Sequence, residues 1–398
     1  MRKIFFILVL LLAGIGTRAQ SVMIHHIGVG QGDATLIIFS SRAKAKAISI
    51  LIDAGNSKSK GDAVFKVCST YLIKHIDFVI VSHLHSDHIG GMERVLEKME
   101  DNGWTVDYII DRAAGEIGNI EDCYSAADSA AIIQNDPSPV IPSSKVVSSY
   151  ASFVEGAVGT LQVKQWINLD TSQNLVFDTT GFGDISFVSL TGNRNVSGSP
   201  NRIAPGSGYN ENDNSYSFLL KMGQFKYFTG GDIGGGAPYA DLETPLVNYF
   251  RGQNDANFHF CGYKATHHGS AHSTNPTFVF YTKPTLTVTP SALRSFSGTR
   301  LPGKETLERI KARNDILGNN SYFFYTYLKS ELPKINGSNI AVYSTGTVTA
   351  YNDVVLKVDR NTFNNNHTFT ATQARRDKTN LTLGLWSSPV TITCDKAH

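Results

Sequence analysis

The segment His83-Leu84-His85-Ser86-Asp87-His88 puts three imidazoles and a carboxylate into six residues. Neutral imidazoles and carboxylates are the donors expected of zinc and its neighbours. In extended chain the side chains at i and i+2 share a face, so His83 and His85 are placed to grip one ion. Asp87 and His88, one turn onward, are placed to reach a second. A plain loop reading, with Asp87 as a helix N-cap, accounts for one of these residues but leaves the others gathered without compensating partners.

The flanking residues say how the segment is held. Ile76 to Ser82 (IDFVIVS) is an apolar, β-branched run that reads as a buried strand, and Gly90-Gly91 followed by MERVLEKMEDNG reads as a helix. The hexad is therefore a strand-to-helix loop. Further strands are expected at 22 to 28, 34 to 39 and 47 to 52, with a helix near 60 to 74. FLLKM and FKYFT flank Gly223 as a hairpin, apolar runs follow near 258 to 265 and 285 to 289, and PGKETLERI from Pro302 opens a helix. Elements alternating in two halves suit an αββα sandwich of two mixed β-sheets, with loops clustered at one sheet edge.

More of the chain falls into one pattern. HIGVGQGD from His26 to Asp33, Leu51-Ile52-Asp53-Ala54-Gly55, Asn214-Ser215, TGGDIG from Thr229 to Gly234 and KATHHGS from Lys264 to Ser270 occur in order. With the hexad, they resemble the metallo-β-lactamase superfamily, and within it the hydrolase domain of ComEC-type DNA-uptake proteins and its secreted relatives, over roughly residues 22 to 358. The resemblance implies that Asp232 bridges two metals. It then implies Asp87, His88, Asp232 and His268 on one ion and His83, His85 and Asp232 on the other. Asp53 is expected to support the hexad from behind, accepting from a ligand imidazole or from loop amides. Adjacent residues leaving a strand point opposite ways, so one of His267 and His268 ligates while the other faces substrate. His268 is taken as the ligand, and His267 with Asp87 as the catalytic pair.

The sequence departs from the full pattern in one respect. The complete two-zinc site takes a third histidine between the hexad and the bridging carboxylate, whereas this chain has none between His88 and His259. Asp111 is a candidate substitute but reads better as a strand-end cap. ComEC-type domains also carry Gly-His-Pro where this chain has Arg300-Leu301-Pro302. Among weaker signals, Gly28, Gly30 and Gly32 lack the G-x-G-x-x-G spacing and read as a tight bend beside the site. At least one of His25 and His26 is structural or exposed, His75, His259 and His272 are left as non-ligands, and Ser270 is read as a turn cap.

Met1-Arg2-Lys3 and the apolar run IFFILVLLLAGIG read as a signal peptide over residues 1–19, too short to span a membrane. A 20–358 hydrolase domain and a 359–398 Thr- and Asn-rich extension, read as an edge strand or as partly disordered, complete the expected organisation, without stable membrane insertion after cleavage. Loss of Arg2, Lys3 and Arg18 takes the formal charge from +2 to −1, which weakens any case for nucleic acid from basicity. Residues 112 to 160 and 192 to 213 read as surface insertions, with a lid or substrate wall as the alternative. Cys68, Cys123, Cys261 and Cys394 are far apart and do not read as a zinc cluster; up to two disulfides or buried free thiols are both open.

The expected protein is a secreted, periplasmic or extracellular hydrolase carrying one or two divalent ions, zinc first and manganese the competitor. Its substrate class is a phosphodiester, in nucleic acid or on a decorated glycan or lipid. The alternatives are a β-lactam or lactone hydrolase and a non-catalytic metal-binding surface module. No protein partner is inferable.

Overall fold

The computed structural model describes residues 20–41, 47–112, 145–157, 160–162, 165–168, 182, 184–207, 210–291, 295–296, 299–326, 335, 339–343, 350–381 and 383–394. The expected signal peptide lies outside the described residues. No described helix is long and apolar enough to cross a membrane.

Two mixed sheets face each other. The first runs β19-β18-β17-β1-β2-β3-β4-β5-β6 with β20 on β18, where β6 is Gln165–Asn168. The second runs β16-β15-β12-β11-β10-β9-β7-β8, where β7 is Ile185–Gly192, β8 Asn195–Val196, β12 Leu286–Thr289, β15 Ser321–Tyr325 and β16 Ile340–Tyr343. β13 (Ser295–Phe296) and β14 (Thr299–Arg300) form a separate two-stranded sheet. In the first sheet β1 (Gln20–His26), β2 (Thr35–Ser41), β3 (Ile48–Ile52), β4 (His75–Ile80) and β5 (Thr105–Asp111) are central. The β3–β4 and β4–β5 pairs are parallel. In the second, β9 (Ser217–Met222) turns at Gly223, φ 58°, into β10 (Phe225–Thr229), which pairs in parallel with β11 (Gly262–Lys264). A two-residue hairpin turn needs positive φ, which glycine adopts without strain.

Three apolar layers follow. Ile24, Phe39, Ile50 and Ile80 from the first sheet meet Phe187, Phe218, Leu220 and Val288 from the second. Outside the first sheet lie α1 (Lys58–Thr70), α2 (Ser86–Ile89), α3 (Met92–Asp101) and α4 (Lys145–Ala157). Met92, Val95, Leu96 and Met99 of α3 repeat at i, i+3, i+4 and i+7, a helical stripe buried against Leu51, Val79 and Ile109. Outside the second sheet α5 (Glu243–Gly252), α6 (Pro276–Thr282) and α7 (Lys304–Ile316) cover Phe228 and Tyr263 with Phe250, Phe278 and Leu307. This is the αββα sandwich expected from the sequence.

The segment after Asp359 forms α8 (Arg360–Asn366) and β18 (Thr368–Asp377), β19 (Leu383–Trp386) and β20 (Val390–Thr393), which extend the first sheet beyond β17 (Ala350–Asp359). Cys261 and Cys394 form a disulfide and Cys68 is a buried free thiol. Cys123 lies outside the described residues. His25 and His26 are both buried and structural: His25 contacts Tyr71 and Asp353, and His26 contacts Thr35 and Tyr227.

Candidate metal centre

Parallel neighbours end on the same side, so β3, β4, β10 and β11 deliver Asp53, the hexad, Asp232 and His267-His268 to one edge of the sandwich. Backbone bonds stitch that edge: Asp53 N donates to Ile80 O at 2.9 Å, Tyr216 N to Ser82 O at 2.9 Å and His267 N to Gly231 O at 3.1 Å. Asp33 N donates to Asp87 O at 3.1 Å, and Gly32, at φ 130°, passes so near that a Cβ there would overlap the Asp87 carbonyl. The glycine run is thus a tight bend against the hexad.

Five of the six expected donors, His83, Asp87, His88, Asp232 and His268, converge, and His85 meets them through His83. His83 Nε2 lies 3.1 Å from His85 Nδ1, as the shared face of extended chain requires. Asp87 and His88 follow on α2. Asp232 Oδ1 lies 3.3 Å from His88 Nε2, and its Oδ2 lies 3.4 Å from His268 Nε2, 4.0 Å from His83 Nε2 and 4.0 Å from His267 Nε2. Asp87 Oδ2 is 3.2 Å from His268 Nε2. Behind them, Asp53 accepts from Ser82 N at 2.7 Å, Ser82 Oγ at 2.7 Å and His88 Nδ1 at 2.8 Å. His268 Nδ1 donates to Pro290 O at 2.7 Å. Both imidazoles therefore keep a lone pair on Nε2 when neutral, aimed at Asp232.

The charges at this edge are those of a cation site. Burial opposes ionisation of Asp87, yet the neighbouring imidazoles of His268 and His88 hold it below the usual carboxylate range. Asp232 is likewise held low against burial by His268 and His88. Burial opposes charge on His268 as well, but Asp232 and Asp87 raise it to about 9. His88 is raised in the same way by Asp232 and Asp53. The carboxylates thus favour the charged forms of His88 and His268, a balance that a divalent ion would take over. His88 Nε2, His268 Nε2 and Asp232 Oδ1 are buried, and their mutual approaches lack hydrogen-bonding geometry. Those orphaned donor atoms and the imidazole–carboxylate set fit a divalent metal ion.

Strand alternation does not carry through His267 and His268. Both sit in the left-handed region, at φ 49°, ψ 46° and φ 53°, ψ 24°, and Gly269 follows at φ 76°. The chain coils tightly enough that both rings face Asp232. Non-glycine residues held this way are strained, and such strain gathers at functional sites. Asp53 is a third case, at φ 59°.

Some contributors were not singled out in the sequence. Asn212, in the turn Glu211–Asn214, places Nδ2 at 3.2 Å from His267 Nε2, and the Tyr239 ring meets the His267 ring edge-on at 4.8 Å. Glu211 accepts from Leu84 N at 2.8 Å and from Arg112 Nε at 2.6 Å, tying the hexad loop to the end of β5. The end of the 192 to 213 stretch therefore borders the site. Only the acidic-amide run ENDN just before Ser215 hinted at this. Asp111 accepts from Tyr150 Oη at 2.9 Å and is not among the donors gathered around Asp232. Ser270 Oγ accepts from His272 N at 3.3 Å, a turn cap as expected.

Fold and site together define a class: an αββα sandwich with a histidine–aspartate cluster where the ends of its two sheets adjoin. The family described as "Anti-Pycsar protein Apyc1" matches residues 22–104. Among solved structures, unliganded yeast PDE1 aligns with TM-score 0.44 and 9% identity, covering 82% of this chain and 98% of that one. A diphosphatase from the PhnP family aligns with TM-score 0.39 and 9% identity over 85% of this chain and 98% of that one. The metallo-β-lactamase fold protein YhfI from Bacillus subtilis aligns with TM-score 0.37 and 14% identity over 79% and 98%. No curated protein sequence matches the chain.

Proposed function

We propose that this protein is a secreted, metal-dependent phosphodiesterase. The observation that carries the reading is the convergence of His83, His88 and His268 on the buried carboxylate of Asp232, with Asp87 against His268. Asp87, His88, Asp232 and His268 would hold one ion, and His83, His85 and Asp232 a second, with zinc or manganese suited to the donors. Bound there, divalent ions supply Lewis acidity toward a phosphoryl oxygen and acidify water.

The chain's own groups do the rest. Asp53 and the Pro290 carbonyl fix the His88 and His268 rings through Nδ1, so neither ring needs to reorient during turnover. Burial lowers His267 to about 4, so at neutral pH it is an uncharged imidazole. Asn212 Nδ2 donates to its Nε2 beside Asp232, which leaves the ring proton on Nδ1, an atom without a partner among the described residues and free to donate to a phosphoryl or departing oxygen. His85 and Asp87 are only partly buried, which leaves the substrate an approach from their side. The substrate class that suits two adjacent cation positions is a phosphodiester, in nucleic acid or on a decorated glycan or lipid.

The test is turnover of an aryl phosphodiester by metal-loaded protein beside His85→Ala and Asp232→Asn. Both variants should lose activity, and unchanged turnover in both overturns the reading. A chromogenic cephalosporin assayed in parallel separates it from a β-lactam hydrolase.

A further inference from the structure

A second group of metal-type donors lies away from this edge, at the beginning of β11. His259 Nε2 is 3.0 Å from Cys394 Sγ and 3.8 Å from Cys261 Sγ, and all three residues are buried. In this structure the two sulfurs are joined as a disulfide. His259 Nδ1 lies 2.8 Å from the Asn257 carbonyl oxygen, to which it must donate. The ring proton is therefore on Nδ1, and Nε2 presents its lone pair to two sulfurs that carry no hydrogen. A buried acceptor aimed at a pair of atoms unable to donate is the geometry of an imidazole prepared for a thiol or a metal.

The geometry points to a redox-gated metal site made of His259, Cys261 and Cys394, taking a thiophilic divalent ion such as zinc when the disulfide is reduced. The chemistry balances as follows. A dithiol reductant passes two electrons and two protons to the disulfide, is itself oxidised to a disulfide, and leaves two thiols. The metal dication then displaces the two thiol protons and binds two thiolates and the Nε2 lone pair, with one position left for water or an added ligand. Two thiolates neutralise the dication, so the product carries no net charge. That suits its surroundings, since both cysteines belong to the apolar layer containing Phe225, Phe363, Phe369 and Ile392. Soft sulfur donors select zinc-like ions over magnesium or calcium.

The backbone is already arranged to hold these donors. Cys261 N donates to Lys226 O at 2.9 Å, and Cys394 N to His367 O at 2.7 Å. Cys394 directly follows β20, which pairs with β18, whereas Cys261 precedes β11 of the other sheet. Disulfide and metal would be alternative clamps for one junction, between the C-terminal strand and the second sheet. The ion would keep that clamp closed under reducing conditions.

Cobalt(II) is the probe. Full-length protein, oxidised or reduced with a phosphine under anaerobic conditions, is titrated with cobalt and read by ultraviolet-visible absorption and circular dichroism. A sulfur-to-cobalt charge-transfer band should appear only in the reduced protein, because the candidate metal centre around Asp232 has no thiolate to produce one. The band should persist in Asp232→Asn, disappear in Cys394→Ser, and shift or weaken in His259→Gln, which keeps the disulfide when oxidised and so folds. Absence of the band in reduced protein with native dichroism overturns the assignment. So does an unchanged band in His259→Gln, or loss of native dichroism on reduction that cobalt and zinc fail to restore. Phosphodiesterase activity enters none of these readouts, so this assignment and the function proposed above fail independently.

Discussion

Replacing Asp53 with asparagine tests how the candidate metal centre is held. Its carboxylate accepts three hydrogen bonds, from Ser82 N at 2.7 Å, Ser82 Oγ at 2.7 Å and His88 Nδ1 at 2.8 Å. Asparagine tolerates the left-handed φ of 59°, so backbone strain does not confuse the result. Its amide oxygen can still accept from Ser82 N, and the Ser82 hydroxyl can rotate to accept from the new amide NH2. The His88 bond cannot be kept as it stands. Facing an NH2 group, the neutral ring that ligation needs must accept at Nδ1, which moves its proton to Nε2, the atom 3.3 Å from Asp232 and required for ligation. Loss of one hydrogen bond to a charged group lowers the stability of metal-free protein by ~1.5–3 kcal/mol. Zinc affinity should fall by ~10–100-fold, the usual effect of removing a group that orients a ligand. Urea denaturation in chelator measures the first and calorimetric zinc titration the second. Unchanged zinc affinity, with stability reduced as expected, would refute the claim that Asp53 acts by fixing the His88 tautomer.

Three other outcomes follow from the same geometry. The pKa of His268, raised to about 9 by Asp232 and Asp87 over the opposing effect of burial, makes metal-free protein lose stability as pH climbs; the contribution is complete below the unfolded value near 6.5 and disappears through about 9. Urea midpoints in chelator should therefore fall between pH 6.5 and 9.5, and zinc should narrow the fall because it binds the deprotonated ring. Gly91→Ala places a Cβ into the Ala54 carbonyl and 2.7 Å from Gly61 N, where α3 begins against α1; it should cost ~1–3 kcal/mol by denaturation, whereas Gly252→Ala, with nothing within 4 Å, should be neutral or stabilising. Asn212→Ala frees the His267 ring while leaving the expected ligands in place, so aryl phosphodiester turnover should drop by ~10-fold or more with zinc content unchanged by elemental analysis.

What the sequence by itself determined is local. The hexad's ligands are neighbours on one strand-to-turn segment, so the shared face of His83 and His85 follows from backbone period alone. The αββα arrangement was legible for a similar reason, since buried β-branched runs, the Gly223 hairpin and the α3 stripe each carry their own period. The tertiary structure decided everything that depends on distant segments meeting. Only packing of the two sheets brings Asp232 to His88 and lets Asn212 reach His267. It also paired Cys261 with Cys394, a choice the sequence left open, and set His259 against them, although His259 and Cys261 stand two residues apart. The left-handed turn at His267 and His268 overrode strand alternation, because backbone contacts at Gly231 and the following Gly269 fix φ there more strongly than the strand's period does. Side-chain types and short spacings specify which donors exist. Their convergence, tautomers and partners arise from contacts between chain segments that no local period encodes.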